Sequence, residues 1–70
     1  MRTNIRLKVG ANIRAFRIKR GLTQERLSEV ARIDYKYLQK IEGKNTPALK
    51  IDTIDKLAKT LKVKVSMLVD

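Results

Sequence analysis

The sequence predicts an all-α fold, a compact bundle of five short helices. Apolar residues recur three and four positions apart along most of the chain, and residues that cap helices precede several of these stretches. No cysteine is present, so disulfides cannot hold together a loop-rich fold. The 70 residues are enough for one domain at most, and such a domain buries only about 60% of the surface that its unfolded chain exposes. The helices must therefore pack closely around a small core.

Apolar spacing and caps predict the first two helices. The first should cover about residues 8–20, and Gly21 after it suits a left-handed cap. Its core-facing residues would be Val9, Ile13 and Phe16. The second should run from about Gln24 to Ala31, with the hydroxyl of Thr23 as its N-cap. Its core-facing residues would be Leu27, Val30 and Ala31.

A third helix is expected after a short turn. Asp34 is a good N-cap, and the helix should end at about Glu42. Leu38 and Ile41 lie three positions apart and would face the core. The polar residues of this helix then point largely outward: Tyr35, Lys36, Tyr37, Gln39 and Lys40.

The last third of the chain predicts a loop and two more helices. Residues 43–48 contain Gly, Asn, Thr and Pro, and a fourth helix should begin near Asp52 or Thr53. Its inward residues would be Ile54, Leu57, Ala58 and Leu61. Ser66 can cap a final helical turn, which carries Met67, Leu68 and Val69. The alternation of Leu61, Val63 and Val65 also fits a short strand, but no partner strand is evident.

Positive charge is the main compositional bias. Lys and Arg number 17 against 7 Asp and Glu, which gives a net charge of +10. Such a field concentrates polyanions, although excess charge also serves solubility alone. Charge by itself does not separate DNA, RNA and acidic membranes as partners. Residues 1–7 carry part of this charge and are expected to form a flexible basic arm, which either adds contacts to phosphates or is simply disordered.

Composition argues against several other classes of protein. The absence of both His and Cys removes the usual zinc ligands, and the chain has no Gly-rich phosphate loop, so we expect neither an enzyme nor a metal or cofactor. One Phe and two Tyr offer little for stacking single-stranded RNA bases. No apolar run approaches the roughly 20 residues of a membrane span, and no signal peptide is evident. A soluble, cytoplasmic protein that does not bind membranes is the expectation.

Two helices joined by a short turn, the second rich in exposed polar residues, are typical of the helix-turn-helix motif. In this motif the second helix enters the major groove of double-stranded DNA. The recognition helix would be about residues 34–42. The base edges in the major groove offer a distinct pattern of donors and acceptors for each base pair, and polar side chains are needed to contact them.

The chain resembles the Xre-type helix-turn-helix family of lambdoid phage repressors and Cro proteins. The resemblance rests on RxxxGLTQxxL at residues 17–27, LxxIE at residues 38–42, Pro47, and IDTIDKLAKTLKV at residues 51–63. It covers roughly residues 9–69. It implies a lambda repressor-like DNA-binding domain in a small transcription regulator, of a kind that mostly binds operator DNA as a homodimer.

The same resemblance implies roles for individual residues. The base-contacting positions are Tyr35, Lys36 and Lys40. The positions that contact the DNA backbone are Gln24, Tyr37, Lys44 and Asn45. Alternatives stay open for several of them. Gln24 would otherwise be an ordinary first-turn residue, Tyr37 could pack at the rim of the core, and both lysines could contact phosphates alone.

Three structural expectations accompany these roles. Arg17 and Glu42 match a pair that bridges the first helix to the end of the third. Arg32 stands where the family often has the glycine of the turn. Either Arg32 adopts a left-handed backbone at a cost of about 1 kcal/mol or more, or the turn differs. The residues at the C-terminal end either form a dimer interface or close the core of the monomer: Met67, Leu68 and Val69. An antitoxin whose main partner is a toxin protein is the alternative function.

Overall fold

The structure, a computed structural model, describes residues 4–70 and contains five α-helices in that range. They are α1 (Ile5–Lys19), α2 (Gln24–Ala31), α3 (Tyr35–Ile41), α4 (Ile51–Leu61) and α5 (Val65–Val69). The all-α fold is therefore confirmed. No strand occurs within the described residues, so the strand alternative for residues 61–65 is wrong.

The first helix begins earlier than its apolar spacing predicts. Asn4 is the N-cap, and its side-chain oxygen accepts hydrogen bonds from the backbone N–H groups of Arg6 at 3.0 Å and Leu7 at 3.3 Å. This cap satisfies two N–H groups that lack a partner within the helix. The expected flexible arm is thus wrong for residues 5–7, which are helical, while residues 1–3 lie outside the described part of the chain.

The end of α1 confirms the predicted left-handed residue. Gly21 has a φ of 71°, a conformation that costs a glycine little because it has no Cβ. The backbone N–H of Leu22 then donates to the carbonyl of Arg17 at 3.1 Å. The chain is turned in this way from α1 directly into α2.

The core consists of apolar residues from all five helices. They are Val9, Ile13, Leu27, Ala31, Leu38, Ile41, Leu57, Ala58, Leu61 and Leu68. The predicted inward position of Val30 is wrong, because its side chain is 49% exposed. Ser28 is buried instead, and its hydroxyl donates to the carbonyl of Glu25 at 2.7 Å. The inner face of α2 is therefore rotated toward Ser28, which can be buried because its hydroxyl has a partner.

Gly10 allows α1 to pass close to the C-terminal end of α3. A Cβ added at Gly10 would clash with the carbonyl oxygen of Ile41 and lie 2.8 Å from Oγ1 of Thr46. The Thr46 hydroxyl is buried and donates to the same carbonyl of Ile41 at 2.9 Å. This bond holds the loop after α3 against the last turn of that helix, next to Gly10.

The last two helices begin without a side-chain cap. Helix α4 starts at Ile51, one or two residues before the prediction, and Lys50 at its N-cap makes no side-chain hydrogen bond. Helix α5 starts at Val65, so the predicted capping role of Ser66 is wrong. The amide of Asn12 in α1 donates to the carbonyl of Leu68 at 2.8 Å, which attaches α5 to α1.

Candidate nucleic-acid interface

The turn between α2 and α3 is formed by three residues, two of which control its geometry. Arg32 has φ 58° and ψ 47°, so the left-handed alternative is the one that occurs. The side chain of Asp34 accepts a hydrogen bond from the backbone N–H of Tyr37 at 3.1 Å and caps α3 as predicted. Thr23 caps α2 in the same way, since its hydroxyl accepts from the N–H of Arg26 at 3.0 Å. Side-chain hydrogen bonds therefore define the first residue of both helices of the motif.

Helix α3 has one buried and one exposed face. Leu38 and Ile41 are fully buried. The side chains that are exposed are those of Tyr35, Lys36, Gln39 and Lys40. Tyr37 is half-buried and packs against the core, as the rim alternative predicts. The seven residues of this helix span about 10 Å, and two aromatic rings, two ammonium groups and an amide are carried on that length.

Glu42, at the C-cap of α3, joins three segments of the chain. Its two carboxylate oxygens accept hydrogen bonds from Arg17 Nε at 2.8 and 3.1 Å and from Arg17 Nη2 at 2.9 Å. The Arg17 side chain is 12% exposed and that of Glu42 only 2%. Arg17 Nη1 also donates to the carbonyl of Leu22 at 2.8 Å. The pair expected from the resemblance thus fixes α1 and the start of α2 against the end of α3.

The same carboxylate orients Gln24. Nε2 of Gln24 donates to Glu42 Oε1 at 3.2 Å. Only the nitrogen of an amide can donate, so Glu42 selects which end of the Gln24 side chain faces it. The second N–H of Nε2 is then left for another acceptor. Gln24 is the first residue of α2, where the positive end of the helix dipole favours an anion.

The loop after α3 continues the polar surface. Gly43, Lys44 and Asn45 are all exposed, and the N–H of Gly43 donates to the carbonyl of Lys40 at 3.2 Å. Buried Thr46 attaches the far side of this short segment to the core. Lys44 and Asn45 therefore follow the end of α3 directly.

A family model described as a helix-turn-helix domain matches residues 10–70. The chain belongs to the helix-turn-helix domain family. A comparison with curated protein sequences gives no match.

Several solved structures are similar to this helix-turn-helix domain. The restriction-modification controller protein C.AhdI from Aeromonas hydrophila is 29% identical with a TM-score of 0.82, over 89% of this chain and 92% of that chain. SinR, the master regulator for biofilm formation, was solved in complex with DNA. It is 29% identical with a TM-score of 0.85, over 89% of this chain and 98% of that chain. C.Esp1396I, bound to a 25 base pair operator site, is 28% identical with a TM-score of 0.83, over 96% of this chain and 87% of that chain.

One residue expected at the dimer interface belongs to the core of the helix-turn-helix domain. Leu68 is fully buried within the monomer, so its side chain is not available to a second copy, and this part of the expectation is corrected. The short α5 must bury Leu68 to pack against α1 and α4. Met67 is exposed and Val69 is half-buried, and both stay candidates for a contact between copies.

Sequence reasoning missed Arg14 and the link between Gln24 and Glu42. Arg14 is exposed and lines a polar cleft together with Arg17, Gln24 and Glu42. Arg14 lies three positions before Arg17, so the two side chains are neighbours on the surface of α1. This spacing could have been used to predict that Arg14 lies beside the Arg17–Glu42 pair. The bond from Gln24 to Glu42 joins residues 18 apart and has no comparable signal.

Two kinds of feature are missing from residues 4–70 of the helix-turn-helix domain, which are the residues that the structure describes. No helix there has the length and apolar character needed to cross a membrane. Within the same residues, no three side chains of His, Cys, Asp or Glu form a group suited to holding a metal ion.

Proposed function

We propose that this chain binds specific sequences of double-stranded DNA and acts as a small transcription regulator, with α3 in the major groove. The observation that carries the proposal is the exposed polar face of α3, held in place from behind by Leu38, Ile41 and the Arg17–Glu42 pair. The groove is about 12 Å wide and accepts one helix. Two similar proteins, SinR and C.Esp1396I, were solved with DNA or an operator bound.

Three side chains of α3 are the proposed base contacts. Lys36 and Lys40 carry ammonium groups that can donate to O6 and N7 of guanine. Tyr35 is 39% exposed, so its ring is free to meet a thymine methyl group while its hydroxyl bonds a base or a phosphate. These residues would determine which sequence is bound.

Four other residues are the proposed contacts to the DNA backbone. They are Gln24, Lys44 and Asn45, and also Tyr37 through the part of its half-buried side chain that the core does not cover. Gln24 is the best supported, because Glu42 orients its amide and leaves one N–H for a phosphate oxygen. Such contacts set the position of the protein on the duplex but do not select its sequence. Glu42 would thus contribute to DNA binding without touching the DNA.

Binding as a homodimer is part of the proposal. A single short recognition helix contacts few base pairs, and operators for such motifs usually contain half-sites about 34 Å apart. Met67 and Val69 on α5 offer an apolar contact, and Met67 is 45% exposed. Light scattering should give a dimeric mass that Met67→Glu reduces. A monomeric mass both in free solution and on DNA would contradict the dimer.

The alternative function is that of an antitoxin whose main partner is a toxin protein. C.AhdI and C.Esp1396I are named as restriction-modification controller proteins and SinR as a master regulator, and these names give the antitoxin role no specific support. A binding role without catalysis and a cytoplasmic location complete the proposal.

Selection of binding sites from random duplexes tests the proposed function. Purified protein should enrich a common motif, and a duplex carrying it should bind more tightly than a shuffled duplex at the same salt concentration. The difference between specific and non-specific sites is typically at least about 10³-fold for such regulators. Enrichment of no motif, together with tight binding to a toxin-like protein encoded nearby, would favour the antitoxin.

A further inference from the structure

The outer surface of α1 carries a row of apolar residues that the core does not use. We call it the outer row, and it consists of Leu7, Ala11, Ala15 and Ile18. All four are exposed, and Leu7 and Ile18 are 40% and 58% exposed. At 3.6 residues per turn they fall on one side of the helix, opposite Val9 and Ile13, and extend over about 16 Å. Helix α1 therefore has an apolar stripe on two opposite faces.

The outer row forms one wall of a shallow groove. The groove has a volume of about 420 Å³, and Glu42 and Gly43 at the end of α3 line its other side. Single exposed apolar side chains are common on protein surfaces, but a continuous row beside a groove is the pattern of a surface that binds a partner. The two alanines at its centre would let another backbone approach closely, while the larger side chains stand at either end.

Basic residues border the outer row, and no acidic residue does so on α1. Lys8 and Lys19 lie along one edge and Arg14 along the other. None of the three forms an ion pair in the part of the chain that the structure describes. Helix α1 contains no Asp or Glu at all. A partner that covers the outer row must therefore place negative charges along both edges.

This charge pattern selects among the possible occupants. A second α1 would bring its own basic residues against Lys8, Arg14 and Lys19, so a symmetric pairing is repulsive. A DNA duplex would pair with the basic residues along the edges but would offer no apolar surface to the outer row. A membrane surface would satisfy both edges and row, but amphipathic helices that bind membranes carry large apolar side chains where this row has Ala11 and Ala15.

We propose that the outer row of α1 binds an acidic amphipathic helix of another protein. The apolar stripe of that helix would lie along Leu7, Ala11, Ala15 and Ile18, and its carboxylates would pair with the bordering basic residues. This is the helix-in-groove mode of recognition, here with the groove between α1 and the end of α3. This binding site is separate from the exposed face of α3 that is proposed to contact DNA. The groove includes only Glu42 and Gly43, which follow the last turn of α3.

A designed peptide provides the test. The probe is a labelled helical peptide of about 18 residues with Leu at its a and d positions and Glu at its e and g positions. The control peptide has Lys in place of every Glu. Fluorescence anisotropy measures binding to the full chain, and amide chemical shifts locate the bound peptide. The test variant of the protein carries both Leu7→Ser and Ile18→Ser. The control variant is Ile51→Ser, which changes an apolar residue elsewhere that is 72% exposed.

We expect saturable binding of the Glu peptide, no binding of the Lys peptide, and shifts that cluster at the outer row. The Leu7→Ser and Ile18→Ser variant should weaken binding by about tenfold or more, while Ile51→Ser leaves it unchanged. Equal losses in both variants, shifts centred on α3 instead of α1, or no saturable binding would overturn the proposal. If the free protein forms dimers and Ile18→Ser dissociates them, the outer row binds a second copy of the chain. This result would also overturn the proposal. Binding to anionic vesicles that Ile18→Ser abolishes would overturn it in favour of a membrane.

Discussion

Glu42 is the residue on which the geometry of the motif most depends. Its carboxylate accepts from both Arg17 and Gln24 and is 2% exposed. Replacing it with Ala leaves the Arg17 guanidinium with only the carbonyl of Leu22 as a partner. We expect Glu42→Ala to lower the free energy of unfolding by about 3 kcal/mol, measured by urea denaturation. Glu29→Ala is the control, because both side chains of the Arg26–Glu29 pair are more than half exposed. This variant should lower the free energy of unfolding by less than about 1 kcal/mol. Equal losses would contradict the role of Glu42.

Arg32 is the second residue with a measurable consequence. Its left-handed backbone, with φ 58°, is strained for any residue that has a Cβ. Arg32→Gly should raise the free energy of unfolding by up to about 1 kcal/mol, seen as a higher melting temperature. Arg32→Ala removes the same charge but keeps the strain, so it should give no gain. If both variants stabilise equally, charge and not backbone strain explains the effect.

Among single residues, the predictable ones are those whose partners lie nearby in sequence. Asp34 and Thr23 cap helices through bonds to residues three positions on, so their roles follow from residue type and position. Gln24 differs, because its partner Glu42 is brought close only by the packing of α2 on α3. Arg17 was predictable only through resemblance to a family.

At the scale of elements, the contact between α1 and the end of α3 gives a sharp prediction. Gly10 lies inside α1, where helix propensity alone favours Ala by about 0.8 to 1 kcal/mol. The Cβ of Ala would clash with the carbonyl of Ile41, which is fixed by Thr46. Overpacking of this kind costs about 1 to 3 kcal/mol, so Gly10→Ala should destabilise the protein in urea denaturation. A gain in stability would mean that α1 and α3 are not in close contact.

The starts of α2 and α3 followed the sequence, because the caps Thr23 and Asp34 stand directly before them. The bounds predicted for α2 are those observed, because Thr23 marks its start. Helix α1 began three residues early because Ile5 and Leu7 are exposed and do not continue the core spacing that starts at Val9. Helices α4 and α5 have no side-chain cap, so nothing in their sequence marks the first residue.

For the whole molecule, the net charge of +10 predicts DNA affinity that falls steeply with salt. Each phosphate contact that is removed should reduce the slope of log affinity against log salt by about 1. Lys44→Ala should reduce this slope by about 1 and weaken binding to all sequences alike. Lys56 is also exposed but lies on α4, so Lys56→Ala should change the slope less. Equal changes would mean that the overall charge, and not a defined contact, sets the affinity.

Contact between α3 and base edges should be visible in the sequence preference of α3 variants. Site selection from random duplexes should be repeated with Lys36→Ala and Lys40→Ala, with Lys56→Ala as the control for lost charge. We predict that each α3 variant relaxes the preference at particular base pairs, by about 1 to 3 kcal/mol per contact, while Lys56→Ala leaves the preference unchanged. Uniform weakening in all three variants, with the selected motif intact, would mean that α3 does not contact base edges.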